Sequence, residues 1–322
     1  MEDILPRKAF AELTAEVKQI LDPLSWTARH GREFVLLGVR IALFALGFAI
    51  FALPGWAAKV VGMIVISYFY YGITITGTHE TGHRSWVRAV KWNKVWGYFF
   101  ADFWSAQSSL WWHYRHVEIH HIYTNMPDEA EVGNYYYPWI GKYAYFFGLP
   151  FLVNIWLVLH STKYLLRKPG RLALYLVLTI AGWAFHVWLF SLFVPLPYAF
   201  LSAFVMRTVF APIFVHIAIF NHIDLDMFFT RPPWLPHQSR TTRNLRSNWL
   251  LDGMGGNAFV ECHVEHHLFP TLSNHILSKI RPTVMKYLQR EGYVYIEESY
   301  TDCLKKCLEH YDRIFRSTPM AI

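Results

Sequence analysis

Four long apolar runs limit what this chain can fold into. They cover residues 34–53, 60–77, 172–194 and 198–220. Each run is about 18 residues or longer, which is the length that a helix needs to cross a bilayer core of roughly 30 Å. The composition agrees, because 54% hydrophobic and 18% aromatic residues with only 16% charged residues is too apolar for an ordinary soluble protein. The runs therefore predict an all-α integral membrane protein.

The basic balance of the chain, a formal net charge of +7, does not indicate nucleic-acid binding. Lys and Arg cluster beside the apolar runs and form no motif typical of DNA or RNA recognition. Anionic lipid headgroups are the simpler partner for such clusters. The N-terminal arm, residues 1–33, shows no signal-peptide pattern, so we expect insertion to rely on the internal runs.

The turns between the runs predict two helical hairpins. Pro54, Gly55 and Trp56 join the first pair of runs, and the Pro-Leu-Pro sequence at residues 195–197 joins the second pair. Neither turn contains Lys or Arg, whereas the N-terminal arm, the central loops and residues 231–322 are rich in both. The positive-inside rule then puts both termini in the cytosol and makes residues 231–322 a cytosolic cap and C-terminal region.

Histidines recur after the second run, in the central loop and after the fourth run. The three groups are His79 and His83; His116, His120 and His121; and His263, His266 and His267. Residues four apart on a helix lie on one face, so the imidazoles of one group can approach one side of a metal site. His116 and His120 share a face, and His121, turned by about 100°, could serve a second metal. Three such groups together are a strong indication of metal ligation.

The three histidine groups share a compartment only if an even number of crossings separates them. A fifth apolar run, residues 143–160, is interrupted by Gly148 and Pro150 and would break this parity if it crossed the bilayer. We therefore expect it to be re-entrant or to lie along the interface. Residues 95–112, which are rich in aromatic side chains, are expected to form another interfacial segment.

The chemistry of the donor set favours a transition metal. Imidazole nitrogens suit iron, zinc or copper better than magnesium or calcium. Eight imidazoles suggest two metals, because a structural zinc site closes with four ligands. The glutamates inside the boxes, Glu80, Glu118 and Glu265, are expected either to orient ligating imidazoles or to lie on solvated helix faces. Glu80 and Glu118 also match the Glu-x-x-His spacing of soluble di-iron bundles, which would leave the third box and the spans unused.

These boxes resemble those of the membrane fatty acid desaturase superfamily. The chain also matches the family at Ile-Tyr-Thr-Asn, residues 122–125, and at Leu-Phe-Pro, residues 268–270. The likeness runs from the first apolar run to about Tyr300. Residues 247–253 and 279–300 are most similar to the branch called fatty acid desaturase 6, with front-end desaturases next. Front-end enzymes differ in usually having Gln where His263 stands, and many carry a fused cytochrome b5 domain.

The resemblance implies four transmembrane helices beneath a cytosolic cap that holds two irons. It also implies a ninth ligand, His222, beside the fourth span, and a role for Asn221 in holding a metal-bound water. The implied reaction uses O2 and two electrons to introduce a double bond into a fatty acyl lipid or acyl-CoA. No His-Pro-Gly-Gly haem motif occurs in the chain, so the electrons would come from a separate donor such as cytochrome b5 with its reductase. The family setting is the endoplasmic reticulum membrane.

Three further residues and two rival functions stay open at this stage. His216 is expected to line a substrate tunnel or to be a ligand, and His113 to contact a ligand or to lie on the surface. Arg207 falls inside a predicted span, where a charge is costly and suggests a functional residue, or one that pairs inside the bundle or extends to the interface. The rivals are a hydroxylase on the same scaffold and a non-catalytic protein that binds lipid or metal.

Overall fold

The computed structural model describes residues 4–127 and 140–317, and it is mostly helical. Within these residues, five helical stretches are long and apolar enough to cross a membrane. They are Thr27–Ala52, Trp56–Gly82, Ala144–Leu165, Pro169–Ser191 and Leu196–Phe220. The chain is therefore a multi-pass membrane protein, and four of the five stretches overlap the four predicted runs.

The helices before residue 128 alternate between α-helical and π-helical geometry. They are α1 (Ile4–Leu21), a π-helical turn (Thr27–Gly31), α2 (Arg32–Ala52), α3 (Trp56–Gly82), α4 (Val90–Gly97), a π-helical segment (Tyr98–Ser105), α5 (Ser109–Trp112), a second π-helical segment (His113–His120) and α6 (His121–Tyr123). The segment 95–112 is thus helical over most of its length.

The helices after residue 139 continue the bundle and then build a compact C-terminal region. They are a π-helical turn (Ala144–Gly148), a 3₁₀ turn (Leu149–Leu152), α7 (Val153–Leu165), α8 (Pro169–Ser191), α9 (Leu196–Thr208), α10 (Ala211–Phe220), α11 (Trp234–Thr241), α12 (Trp249–Gly255), α13 (His263–Leu268), α14 (Asn274–Arg290) and α15 (Tyr300–Ser317). Two short strands, β1 (Asn244–Leu245) and β2 (Glu297–Glu298), pair in parallel.

Helices α2 and α3 pack against each other at close range. The turn between them requires Gly55, whose φ of +90° disfavours residues with a side chain. A Cβ atom at Gly62 would lie 2.6 Å from the backbone nitrogen of Phe51, so only glycine permits this separation. This close packing holds α3 against α2. The C-terminal end of α3 carries the first histidine group.

The last spanning stretch is broken between α9 and α10. Pro212 has no backbone N–H, so the helical hydrogen-bond ladder is interrupted at the start of α10. Beside this break, the carbonyl oxygen of Arg207 accepts hydrogen bonds from the Tyr71 hydroxyl and from Asn154 Nδ2. These two side chains belong to other helices, so they tie the break to the rest of the bundle.

The stretch Ala144–Leu165 is helical throughout but irregular at its start. Its first nine residues run from a π-helical turn into a 3₁₀ turn, around Gly148 and Pro150. Regular α-helix begins only at Val153. The two residues that interrupt the apolar run in the sequence therefore coincide with the irregular part of the helix.

The C-terminal region packs α1, α11, α13 and α14 around an apolar core. Leu13 and Val17 of α1 are buried against Ile280 and Val284 of α14. The Tyr287 hydroxyl donates a hydrogen bond of 2.7 Å to the carbonyl oxygen of Ala9, which fastens the two helices. This packing holds α13, with the third histidine group, over the end of α3.

Candidate metal centre

Four parts of the fold bring nine histidines together. The end of α3 supplies His79 and His83, and the π-helical segment His113–His120 with α6 supplies the second group. His222 follows α10, and α13 supplies the third group. All nine are buried: His79, His83, His116, His120, His121, His222, His263, His266 and His267.

Eight of these histidines form two groups of four. Within each group, one ring nitrogen from every residue lies within 4.8 Å of the others. The first group is His79, His83, His116 and His266, and the second is His120, His222, His263 and His267. The second and third boxes each contribute to both groups.

His121 lies between the two groups. Its Nε2 is 3.0 Å from Nε2 of His266 in the first group. Its ring centre is 4.2 Å from that of His267 in the second group. The structure therefore puts His121 next to ligand candidates of both groups.

Hydrogen bonds select the ring nitrogen that His222 and His263 present to the centre. Nδ1 of His222 donates to the carbonyl oxygen of Thr241 at 2.9 Å, and Nδ1 of His263 donates to that of Ala258 at 2.8 Å. In a neutral imidazole the other nitrogen then carries only a lone pair. These two Nε2 atoms are 2.8 Å apart, and a cation between such lone pairs would replace their repulsion with two bonds.

Gln238 determines which ring nitrogen His267 presents to the centre. Its Oε1 accepts a hydrogen bond of 2.8 Å from Nδ1 of His267, and its Nε2 donates one of 2.9 Å to the carbonyl oxygen of His121. The two bonds fix the orientation of the amide. Nε2 of His267 is buried with no hydrogen-bond partner among the described residues, as an unused ligand atom would be.

The first group also presents unused nitrogens. Both ring nitrogens of His83 are buried with no hydrogen-bond partner in residues 4–127 and 140–317. Nε2 of His79 is 3.0 Å from Nε2 of His266. Buried polar atoms are normally hydrogen-bonded, so this cluster of unsatisfied nitrogens fits metal ions. An all-imidazole donor set suits a transition metal such as iron.

Burial keeps the clustered imidazoles neutral. The pKa values of four of these histidines lie well below the usual range: His83, His121, His266 and His267. The larger cause is loss of solvation, and the smaller cause is repulsion between neighbouring rings. Burial lowers the pKa of His263 to about 3. The neutral form is the one that binds metal, so the site is preset for ligation at neutral pH.

Asn221 and His216 lie next to the histidine cluster and differ in whether their polar atoms are hydrogen-bonded. Asn221 donates through Nδ2 to the carbonyl oxygen of Phe259 at 2.9 Å, while its buried Oδ1 has no partner among the described residues. Both ring nitrogens of His216 are engaged, by the Tyr300 hydroxyl at 2.6 Å and by a backbone carbonyl at 2.7 Å. His216 lines a cavity and joins neither group of four.

Two of the box glutamates, Glu80 and Glu265, bond partners outside the histidine cluster. Glu80 accepts hydrogen bonds from the backbone and side chain of Asn274, and Glu265 accepts them from Asn244 and Tyr295. Burial raises the pKa of Glu265 to about 7.

Glu118 lies at the surface of the second box. Its side chain is 57% exposed and lies 3.6 Å from His113, which also bonds the Gly82 carbonyl.

The groups that orient the rings were not found in the sequence. They are two backbone carbonyls and the amide of Gln238, and none of them belongs to a histidine box. Carbonyl partners leave no trace in side-chain identity. Gln238 lies 29 residues before His267, so no local spacing connects the two.

A narrow cavity lies beside the histidine cluster, behind the rings of Trp112 and Phe259. Trp112 stacks on His116 with ring centres 4.5 Å apart, and Phe259 lies 4.4 Å from His79. Both aromatic rings are also part of the cavity wall, which continues down α3 to Tyr70. The cavity is narrow, about 20 Å³, and its largely apolar wall keeps bulk water from this side of the centre.

Comparison with known proteins adds an independent line of evidence. A family model described as fatty acid desaturase matches residues 54–299. Fatty acid desaturase 6 of Mus musculus is 29% identical over 314 residues, which cover 96% of this chain and 92% of that protein. For fatty acid desaturase 6 of Homo sapiens the identity is again 29%, covering 96% of this chain and 88% of that protein. Fatty acid desaturase 3 of Bos taurus is 24% identical, covering 81% of this chain and 63% of that protein.

Proposed function

The chain belongs to the fatty acid desaturase family, as its histidine boxes predicted, and we propose that it introduces a double bond into a fatty acyl lipid or acyl-CoA at a di-iron centre. That it is a fatty acid desaturase enzyme rests on the family match and on relatives named as desaturases over nearly the whole chain. The observation that carries the di-iron proposal is the pair of buried four-histidine groups.

The nine histidines would hold two irons, one at each group of four with His121 between them. When bound, the irons would supply, with O2 and two electrons, the oxidising power for removing two hydrogens from neighbouring carbons. The protein's own part is positional. Thr241, Ala258 and Gln238 set the ring tautomers, and Asn221 Oδ1 is free to hold a water at the centre.

An acyl chain that reaches the centre would enter and widen the narrow cavity beneath it. Tyr70, Trp112 and Phe259 give it an aromatic wall, so the hydrocarbon is held by shape rather than by hydrogen bonds. The carbons that meet the histidine groups are then set by how far the chain can enter. Bulk water is kept from the reacting carbons by the same rings.

Four crossings account best for the position of the centre. Box residues before Ala144–Leu165 and after Leu196–Phe220 share one centre, while three spanning candidates lie between them. Only an even number of these can cross completely. We assign the incomplete crossing to Ala144–Leu165, because its irregular start at Gly148 and Pro150 suits a re-entrant or interfacial helix.

With this topology the first two and last two crossings form hairpins, and both termini lie in the cytosol with the C-terminal cap. The electron donor would be a separate protein such as cytochrome b5 with its reductase. The family resemblance supports the endoplasmic reticulum membrane as the location. The whole chain acts as one desaturase domain, since the centre draws ligands from residues 79 to 267.

Expression in a host that lacks the activity tests the proposal. Mass spectrometry of the host lipids should show an acyl product with two hydrogens fewer, and this product should be missing with His266→Ala or His267→Ala. A product that gains an oxygen atom would contradict desaturation. An unchanged lipid profile with correctly inserted protein would contradict catalysis.

A further inference from the structure

Arg207 is a cation buried near the middle of a membrane-spanning stretch. It lies on α9, within the span Leu196–Phe220, and is only 1% exposed. Ionisable side chains at this depth are costly and usually face a cavity or a partner inside the bundle. The residue therefore needs an explanation beyond packing.

The contacts of Arg207 leave its charge without a counter-ion. Its guanidinium donates to the carbonyl oxygen of Ala203 at 3.1 Å and to Nδ1 of His186 at 2.8 Å. It also lies over the ring of Trp183, 4.0 Å from the centre. Among the described residues Nε has no hydrogen-bond partner and no Asp or Glu pairs with the side chain, whose neutral neighbours include the hydrogen-bonded side chain of Tyr70. A guanidinium offers five N–H donors, so these contacts do not use all of them.

The guanidinium lines a cavity of about 260 Å³. Ser105 and Asn154 belong to the wall of this cavity and also to the wall of the narrow cavity under the histidine rings. The two cavities are thus neighbours, with the cation at the outer one and Trp112 and Phe259 between the inner one and the histidine rings. Ile155, Phe204 and Leu159 at the rim are 40–62% exposed, so the outer cavity opens toward the bilayer.

We infer that Arg207 binds a carboxylate at the end of a fatty acyl chain whose hydrocarbon points toward the histidine rings. A carboxylate supplies the missing counter-charge and matches the paired donors of a guanidinium. The inference rests on the proposed function for what happens to the chain, since the carbons at the metal centre would be counted from this anchored end.

Two sources could supply such a carboxylate. A free fatty acid could enter from the bilayer with its own carboxylate on Arg207. A dicarboxylic acyl-CoA could instead enter from the membrane surface and present its distal carboxylate. The chemistry at Arg207 is the same in both cases, so two pairs of ligands are needed to separate them.

Equilibrium binding to the purified full-length protein in nanodiscs tests the inference without turnover. The first pair of probes is palmitic acid and hexadecanol, and the second is ω-carboxypalmitoyl-CoA and palmitoyl-CoA. In at least one pair, the wild-type protein should bind the carboxylate member about tenfold more tightly or better. The pair that shows the preference identifies the source.

The variants are Arg207→Gln, Arg207→Lys and, as a control, Arg40→Gln. Arg207→Gln should bind both members of the pair alike. Arg207→Lys should keep a reduced preference for the carboxylate, because an ammonium makes single rather than paired contacts. This variant tests the inference if Arg207→Gln does not fold. Arg40 is another arginine within a spanning helix, but it bonds Thr76 and the Gly253 carbonyl and lines neither cavity, so its variant should resemble wild type.

Two results would overturn the inference. One is a wild-type protein that shows no preference in either pair. The other is a preference that survives in Arg207→Gln, or in full in Arg207→Lys. Because binding is measured without O2 or electrons, neither result bears on whether the protein is a desaturase.

Discussion

At the scale of single residues, the hydrogen bond on one side of an imidazole decides what its other side can do. A ring that donates through Nδ1 presents a lone pair at Nε2, and such partners tune metal affinity strongly. His222, His263 and His267 each donate through Nδ1, to Thr241, Ala258 and Gln238. The Nε2 atoms of these three histidines therefore carry the lone pairs that are available for metal binding.

Gln238 provides a direct test of this arrangement. Gln238→Leu should lower the affinity for the metal about 10- to 100-fold, because His267 loses the acceptor that fixes its tautomer. Metal content after dialysis against graded chelator measures the change.

Gln238→Glu keeps an acceptor for Nδ1 of His267 and should therefore lose less metal affinity than Gln238→Leu. Ser239→Ala is the matched control, since Ser239 is buried on the same helix and its hydroxyl bonds the Pro236 carbonyl rather than a histidine. Equal metal loss in Gln238→Leu and Ser239→Ala would refute the role of the amide.

Two buried histidines should respond differently to alanine substitution. His83→Ala removes a member of the first group of four, so the metal content per chain should fall by about one. His216→Ala should keep the full content, because both its ring nitrogens already bond Tyr300 and a backbone carbonyl. Elemental analysis of both variants decides. Metal loss with His216→Ala would contradict the assignment of His216 as a residue that does not bind metal.

The histidines could be predicted because their spacing is local and their number is unusual. The division into two groups could not, because it separates residues of the same box. His263 and His267 face one group while His266 faces the other, and this depends on how α13 meets α3 and the π-helical segment. Backbone carbonyl partners such as that of Thr241 carry no side-chain signature.

At the scale of helices, close approach rather than hydrophobicity fixes how the elements pack. Gly182 on α8 faces the π-helical segment Tyr98–Ser105, and a Cβ there would lie 1.7 Å from the carbonyl oxygen of Phe103. Gly182→Ala should therefore cost about 1–3 kcal/mol of stability, because the helix must shift. The thermal unfolding midpoint in detergent should fall.

Gly38→Ala is the control for this experiment. A Cβ at Gly38 meets nothing within 4 Å, and alanine is the better helix former. Its midpoint should be unchanged or slightly higher. A fall of the same size in both variants would show that the loss does not come from the contact with Phe103.

The apolar runs predicted where helices occur but not how regular they are. The break between α9 and α10 follows from Pro212, yet its partners Tyr71 and Asn154 come from distant helices. The sequence flagged Arg207 as costly but could not show the cavity beside it. Tertiary neighbours decide such features, and they are not encoded in local periodicity.

At the scale of the whole molecule, the shared centre constrains the path through the membrane. If Ala144–Leu165 does not cross, Gly170 lies on the same side as the histidines, and the turn at Gly55 lies on the opposite side. Cysteine introduced at Gly170 should react with an impermeant thiol reagent in sealed microsomes. Cysteine at Gly55 should react only after permeabilisation. The native thiols Cys262, Cys303 and Cys307 are buried and should add little background. Protection of Gly170→Cys in sealed vesicles would reverse the assignment.

Composition and the apolar runs predicted a multi-pass helical membrane protein, and the five apolar helices of the described residues confirm it. Hydropathy alone could not separate Ala144–Leu165 from the other stretches, because length and composition fit a crossing equally well. Parity separates it only once the histidines are known to meet. The number of crossings is thus a property of the assembled site rather than of any one run.

The metal content of the wild-type protein tests the central claim most directly. Full-length protein purified without added metal should contain two irons per chain, one for each group of four histidines. Elemental analysis against a quantitative amino-acid determination gives the ratio. A single zinc per chain, or a chain that folds and retains no metal at all, would contradict the di-iron account.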